Sequence, residues 1–311
     1  MICIYKTLNN DTLEKIDNIE SGCWINIVEP SEQELLFISK KTQVSLSLLN
    51  AALDEEETSR IDIEDTNILI IVDVPFTSVE ENSLTYGTYP LGIISNDNYI
   101  ITISLKKNKV ITDFIDGKIK TFYTYKRSRF TLQILNKLTT YFLVYLRQID
   151  KKSQIIHSKI HKSMKNKELI QLLSLEKSLV YFSTSLKSNE MTLEKLLKYD
   201  FIQKYEEDKH LLEDVIIDNK QAIEMAHIYA SVLSSLLEFF AALISNNLNM
   251  VMKFLASMTI VLSVPSIIFG LWGTNVILPF SDNPFGFLII LVISILISLL
   301  IAIILYKKDM F

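Results

Sequence analysis

The stretch from Phe254 to Tyr306 constrains this chain more than any other. No charged side chain occurs from Phe254 to Phe280, and none again from Asn283 to Tyr306. Roughly 20 apolar residues of helix cross the hydrocarbon core of a bilayer, and both runs reach that length. Backbone groups in lipid are satisfied only by helices or closed barrels, and neither run has the alternation of a barrel strand. The sequence therefore predicts a two-span helical hairpin at 250–311. Its first helix covers 250–273, its connecting loop 274–284 and its second span 285–306.

The first span carries a pattern besides its hydrophobicity. Ala256, Thr259, Ser263, Ser266, Gly270 and Gly273 follow one another at spacings of 3, 4, 3, 4 and 3, which places all six on one helix face. Phe254, Met258, Val261, Ile268, Phe269 and Trp272 fall on the other face, which suits lipid. Small residues on a membrane helix often mark close helix packing. Several copies of such a helix around an axis would instead line a narrow polar pore. The stripe by itself allows both readings.

Trp272-Gly273-Thr274-Asn275 closes the span. This motif resembles the aromatic-Gly-Met-Asn signature of CorA-type magnesium transport proteins. The approach from Ser245 to Leu255, then Pro265, Gly270, the short loop, the second span and the Lys307-Lys308 ending are similar to that family as well. The resemblance implies a selectivity filter at Gly273, Thr274 and Asn275. It implies a pore lined by Asn249, Met252, Leu255, Ala256, Thr259, Ser263, Ser266 and Gly270, with Asn249, Met252 and Leu255 at the constriction. Thr274 stands where the family signature has methionine, a position that zinc-transporting relatives also vary.

The remainder of the chain is read as what that hairpin carries. The 311 residues, 49% hydrophobic, suffice for a sizeable soluble domain besides the spans. A net charge of −5 argues against a nucleic-acid partner. Cys3 and Cys23 lack metal-ligand spacing and fit a reducing compartment. Met1–Thr7 does not have the layout of a cleavable signal. Lys253, Lys307 and Lys308 flank the hairpin and its loop has neither Lys nor Arg, so the positive-inside rule puts both termini in the cytoplasm of a plasma-membrane protein.

The fold class expected is α+β: a cytosolic α/β domain at 1–120, a long-helix stalk at 121–249, then the hairpin. Trp24–Val28 reads as a strand, and Ser31 with Glu34 as a capping box. Asn67–Val74 reads as a strand stopped by Pro75, and Leu91–Ser95 with Tyr99–Ser104 as a hairpin whose Asn96-Asp97-Asn98 turn suits positive φ. From Lys118 to Val264 there is neither glycine nor proline, which predicts long helices. Apolar residues keep a heptad-like rhythm over Phe130–Leu197, and a polar gap at Lys198–Lys209 allows a turn. A second helix then runs from about residue 210 to 272, resembling the funnel of the family.

Several charged groups invite a metal reading. Asp54-Glu55-Glu56-Glu57, with Arg60, Asp62, Glu64 and Asp65, would attract hard cations but suits a solvated loop equally. His157 and His161 have i,i+4 spacing, opposed by Lys159 and Lys162. The family resemblance implies a regulatory magnesium site using Asp214, with Glu80 or Glu81 as its partner, and cation concentration by Glu238. Each of these is otherwise a solvated carboxylate.

The function expected is passage of a divalent cation, magnesium first and cobalt or nickel next, through a homo-oligomer, a pentamer by resemblance. The chain has no nucleotide or nucleophile–base motif, which agrees with a non-enzyme using magnesium and no organic cofactor. Two alternatives stay open: a zinc transporter of the divergent branch, and a membrane-anchored scaffold or signalling protein.

Overall fold

The computed structural model describes residues 1–8, 12–80, 83–119, 121–160, 166–199, 205–274 and 284–310. The chain divides into two compact units, Met1–Ser235 and Leu236–Phe311.

The first unit is built on a seven-stranded sheet, ordered β2-β1-β3-β7-β6-β5-β4. The strands are β1 (Ile2–Thr7), β2 (Leu13–Ile16), β3 (Trp24–Val28), β4 (Arg60–Glu64), β5 (Asn67–Glu80), β6 (Ser83–Ser95) and β7 (Ile100–Ser104). β3 and β7 pair in parallel, whereas the other neighbours are antiparallel. The central strands are covered on both faces, which is why they read as unbroken apolar runs. On one face Ile25, Ile27, Leu69, Ile71 and Ile103 pack with Leu35, Ile38, Leu48 and Leu49. Those four leave the sheet side of α1 (Glu32–Thr42) and α2 (Leu46–Ala51). On the other face Trp24 meets Phe130 with ring centroids 5.1 Å apart, and Phe114, Phe122 and Phe130 stack around it. Phe114 belongs to α3 (Lys109–Ile115) and Phe130 to α4 (Arg127–Ile160).

Local signals account for much of this. β3 has the bounds its sequence predicts. At Ser31 the hydroxyl accepts from the Glu34 N–H at 3.3 Å, and the Glu34 carboxylate accepts from the Ser31 N–H at 2.9 Å, completing the capping box. The β6–β7 hairpin also forms, but its turn works differently. Asn96 Oδ1 accepts from the N–H groups of Asn98 and Tyr99 at 2.9 and 2.8 Å, and no residue from 96 to 98 has positive φ. A side-chain acceptor organises the turn.

Pro75 does not stop β5, which continues to Glu80. Two observations explain this. β4 pairs with β5 only as far as Ile71. Beyond it, the Asp73 N–H and C=O face outward to the Asn189 side-chain amide at 2.8 and 3.0 Å. Pro75 follows by one strand period, so its missing N–H points to the same outer edge and costs the β5–β6 ladder nothing.

The heptad-like run Phe130–Leu197 resolves into α4 and α5 (Asn166–Leu196). α6 then spans Glu206–Trp272 and contributes to both units. The second unit contains the apolar part of α6 and α7 (Gly286–Lys307). Both helices are long and apolar enough to cross a bilayer, and few of the residues in those stretches are buried within the chain.

Candidate functional site

The residues implied for the ion pathway all lie on α6 or just beyond it, and that helix has two unlike faces in the second unit. Ser257 is fully buried, and its hydroxyl donates to the Met310 carbonyl at 2.8 Å. Val261, Val264, Ile268, Phe269 and Trp272 are half-buried, and Phe269 meets Phe287 of α7 at 6.0 Å between ring centroids. This face seats the second span. Of the residues that the sequence assigned to lipid, only Phe254 and Met258 stand exposed.

Successive helix residues are about 100° apart, so Ala256, Thr259, Ser263, Ser266, Gly270 and Gly273 centre on the side opposite Ser257, Val261, Val264 and Ile268. Ser263 is half-exposed and the other five are exposed, as are Asn249, Met252 and Leu255. The small-residue stripe therefore does not serve contact with the chain's own second span. A Cβ added at Gly270 would meet nothing within 4 Å.

The hydroxyls on the stripe share one arrangement. Thr259 donates to the Leu255 carbonyl at 2.8 Å, Ser263 to Thr259 at 2.7 Å and Ser266 to Leu262 at 3.3 Å. Each hydrogen is thus turned back onto the helix. A hydroxyl has one donor and two acceptor lone pairs, so these side chains present oxygen acceptors outward. Pro265 lies within this stretch of α6 and lacks the N–H that the Val261 carbonyl would otherwise receive.

The helix end is closed by its own donors. The Gly273 N–H reaches the Phe269 carbonyl at 2.9 Å. Thr274 gives the Leu271 carbonyl both its N–H, at 3.3 Å, and its hydroxyl, at 2.7 Å. The threonine at the signature's variable position thereby acts as a C-terminal cap. Asn275, with residues 276–283, lies outside the described residues.

Asp214 and Glu238 are exposed on α6. Glu80 ends β5, its side chain and all of Glu81 falling outside the described residues. Among the described residues no group of three or more His, Cys, Asp or Glu is placed to hold a metal ion. Around the acidic run 54–57, Arg60 pairs with Glu57 and, at 2.7 Å, with Asp62, while Lys106 reaches Glu55 at 3.2 Å. That segment is an ion-paired surface loop. His161 lies outside the described residues, so the His157 pairing has no geometry to report.

Sequence reasoning missed Ser257, whose signal was its place in the 257, 261, 264, 268 rhythm facing α7. It also missed the capping role of Thr274, which follows from a hydroxyl near a helix C-terminus.

A mixed α/β unit, helices that follow it, and two C-terminal spans whose first ends in Gly273-Thr274-Asn275 together define a two-span membrane transport protein. The model of the family described as CorA-like Mg2+ transporter protein matches residues 20–307, and the chain belongs to that family of divalent-cation transporters. It is 30% identical over 288 residues to the cobalt/magnesium transport protein CorA of Methanocaldococcus jannaschii, which covers 89% of this chain and 87% of that protein. The complete structure of the CorA magnesium transporter from the same organism superposes with a TM-score of 0.84 at 27% identity, over 98% of this chain and 96% of that one. The full-length CmaX protein shares the fold, with a TM-score of 0.73 at 15% identity over 99% and 97% of the two chains.

Proposed function

We propose that this protein conducts divalent cations, magnesium first and cobalt or nickel next, through a homopentameric pore lined by α6. Three parts carry out separate tasks: a cytosolic α/β domain at 1–120, a stalk at 121–249 and the hairpin at 250–311. Both termini lie in the cytoplasm and the spans cross the plasma membrane. The observation that carries this reading is the open stripe on α6, turned away from α7 and leading to Gly273-Thr274-Asn275.

Magnesium sheds water reluctantly and usually keeps several waters when bound. A wall of hydroxyl oxygens whose hydrogens are already engaged accepts hydrogen bonds from that water shell. Rings of Asn275 amide oxygens and Gly273 carbonyls would collect the hydrated ion at the outer mouth, binding it more weakly than a charged ring and releasing it faster. Met252 and Leu255 form an apolar collar that closes by dewetting. The driving force is the membrane potential: about 4.6 kcal/mol per 100 mV for a divalent ion, twice the single-charge figure. Cytosolic magnesium closes the assembly by bridging Asp214 to a carboxylate of a neighbouring copy, Glu80 or Glu81, and Glu238 concentrates cations below the pore.

The test is cation uptake by liposomes carrying the full chain under an inside-negative potential. Magnesium influx that is lost in Asn275→Ala is the expected outcome. Zinc flux driven only by a proton gradient would transfer the protein to the zinc-transporting alternative, which Thr274 favours. No flux of any ion would leave the spans as an anchor.

A further inference from the structure

Where α6 meets α5, the first unit holds a buried polar contact that the pathway does not use. Asn219 lies on α6, fully buried between α6 and α5. Its Nδ2 donates to the Leu186 carbonyl of α5 at 3.0 Å, whereas its Oδ1 is buried without a hydrogen-bond partner among the described residues. Val215, Ile216 and Ala222 of α6, and Leu186 and Leu193 of α5, are buried as well. The next residue, Lys220, reaches Glu194 at 2.9 Å and Glu190 at 3.7 Å. These glutamates stand about one helical turn apart on α5, about 6 Å along its axis.

A single asparagine in an apolar helix seam specifies axial register, because sliding the helices strands its amide. Here the amide is only half satisfied, so the observed register leaves an acceptor desolvated and unpaired. A lysine facing two carboxylates one turn apart keeps a partner if the helices shift. Packed helices have discrete alternative positions rather than a continuum.

We propose that Asn219 and Lys220 form a register clip that holds α6 on α5 in one of two axial positions. In the second position Lys220 exchanges Glu194 for Glu190 as its closer partner. The same helix bears the stripe from Ala256 to Gly273, so the clip biases the conducting state. The clip is argued from the α5–α6 seam; its response to magnesium and its effect on conduction rest on the regulation and transport proposed above.

The full chain in lipid nanodiscs is compared with and without magnesium by hydrogen exchange over residues 183–190 and 215–222. Exchange there changes with magnesium in the wild type. Asn219→Leu, which fills the seam with an apolar side chain, abolishes that change and shifts the internal magnesium giving half-maximal influx by about fivefold or more. Lys220→Glu shifts it likewise, and adding Glu194→Lys restores it; these side chains are at the surface, so folding is preserved. A seam whose exchange ignores magnesium, or an Asn219→Leu protein that responds as the wild type does, overturns the clip. Wild-type protein that passes no cation refutes the transport reading separately, because the exchange measurement needs no flux.

Discussion

The same apolar residues serve two different surroundings in the two units. Ile25, Ile27, Ile101 and Ile103 are sealed inside the sheet, where close packing leaves no room for another methyl group. Leu288, Leu299 and Ile303 of α7 are 57%, 58% and 50% exposed, a disposition that water penalises and lipid favours. Sheet residues are fixed by what touches them. Span residues are fixed by what surrounds the whole helix, so individual positions are freer to change unless they face another helix or the ion.

Glycines give the sharpest contrast, and the largest expected effect. A Cβ at Gly92 in β6 would lie 2.6 Å from Ala52 Cβ and 2.8 Å from Ile103 Cγ2. Ala52 is an alanine, whose Cβ has no rotamer to move, so the backbone itself must yield. Gly92→Ala is expected to cost about 3 kcal/mol, read as a lower unfolding midpoint of the full chain in denaturant. An unchanged midpoint would mean that the sheet is as permissive as the spans.

The second prediction concerns charge in the packed unit. Burial lifts the Asp73 carboxyl to about 6, with a hydrogen bond from Ser185 offsetting part of the rise. The unfolded chain ionises near 3.8. Between that value and about 6 the folded chain holds the extra proton, so stability falls as pH rises through this window. The cost is complete above it. Asp73→Asn is therefore expected to stabilise the protein by about 2 kcal/mol at pH 7 and by almost nothing below pH 4. A benefit independent of pH would assign the effect to packing instead.

The smallest structural effect is expected in the spans. Gly270→Ala meets open space and should change thermal stability by less than about 1 kcal/mol. Cation influx should nevertheless fall, since the added methyl group narrows the stripe face. Unaltered influx would remove Gly270 from the pore lining.

How legible each region was follows from the same contrast. β3 could be read because four of its five residues are buried, on both faces of the sheet, and such a run announces itself. The first half of β6 could not, since Gly87 and Pro90 look like turn residues. In the fold Gly87 instead makes room for Phe76, whose ring would stand 2.9 Å from a Cβ there. Pro75 was misleading because a strand's outer edge is a property of the sheet and not of the strand. The stripe on α6 was legible through its period, whereas the division of the opposite face between lipid and α7 needed the second helix in place. Asp214 and Glu238 stayed undecided because a carboxylate on a helix surface takes its role from what arrives beside it.

The amide of Asn189 against Asp73 has a consequence for how this protein behaves in a crowded solution. An unpaired strand edge invites another chain to add itself, the route to ribbons and fibrils. Past Ile71, the first outward-facing rung of β5 is already occupied by a side chain that imitates a neighbouring strand. The next outward position is Pro75, which has no hydrogen to offer. A would-be intruder therefore finds one docking point taken and the following one blank, so this edge resists intermolecular zippering without any strand laid over it.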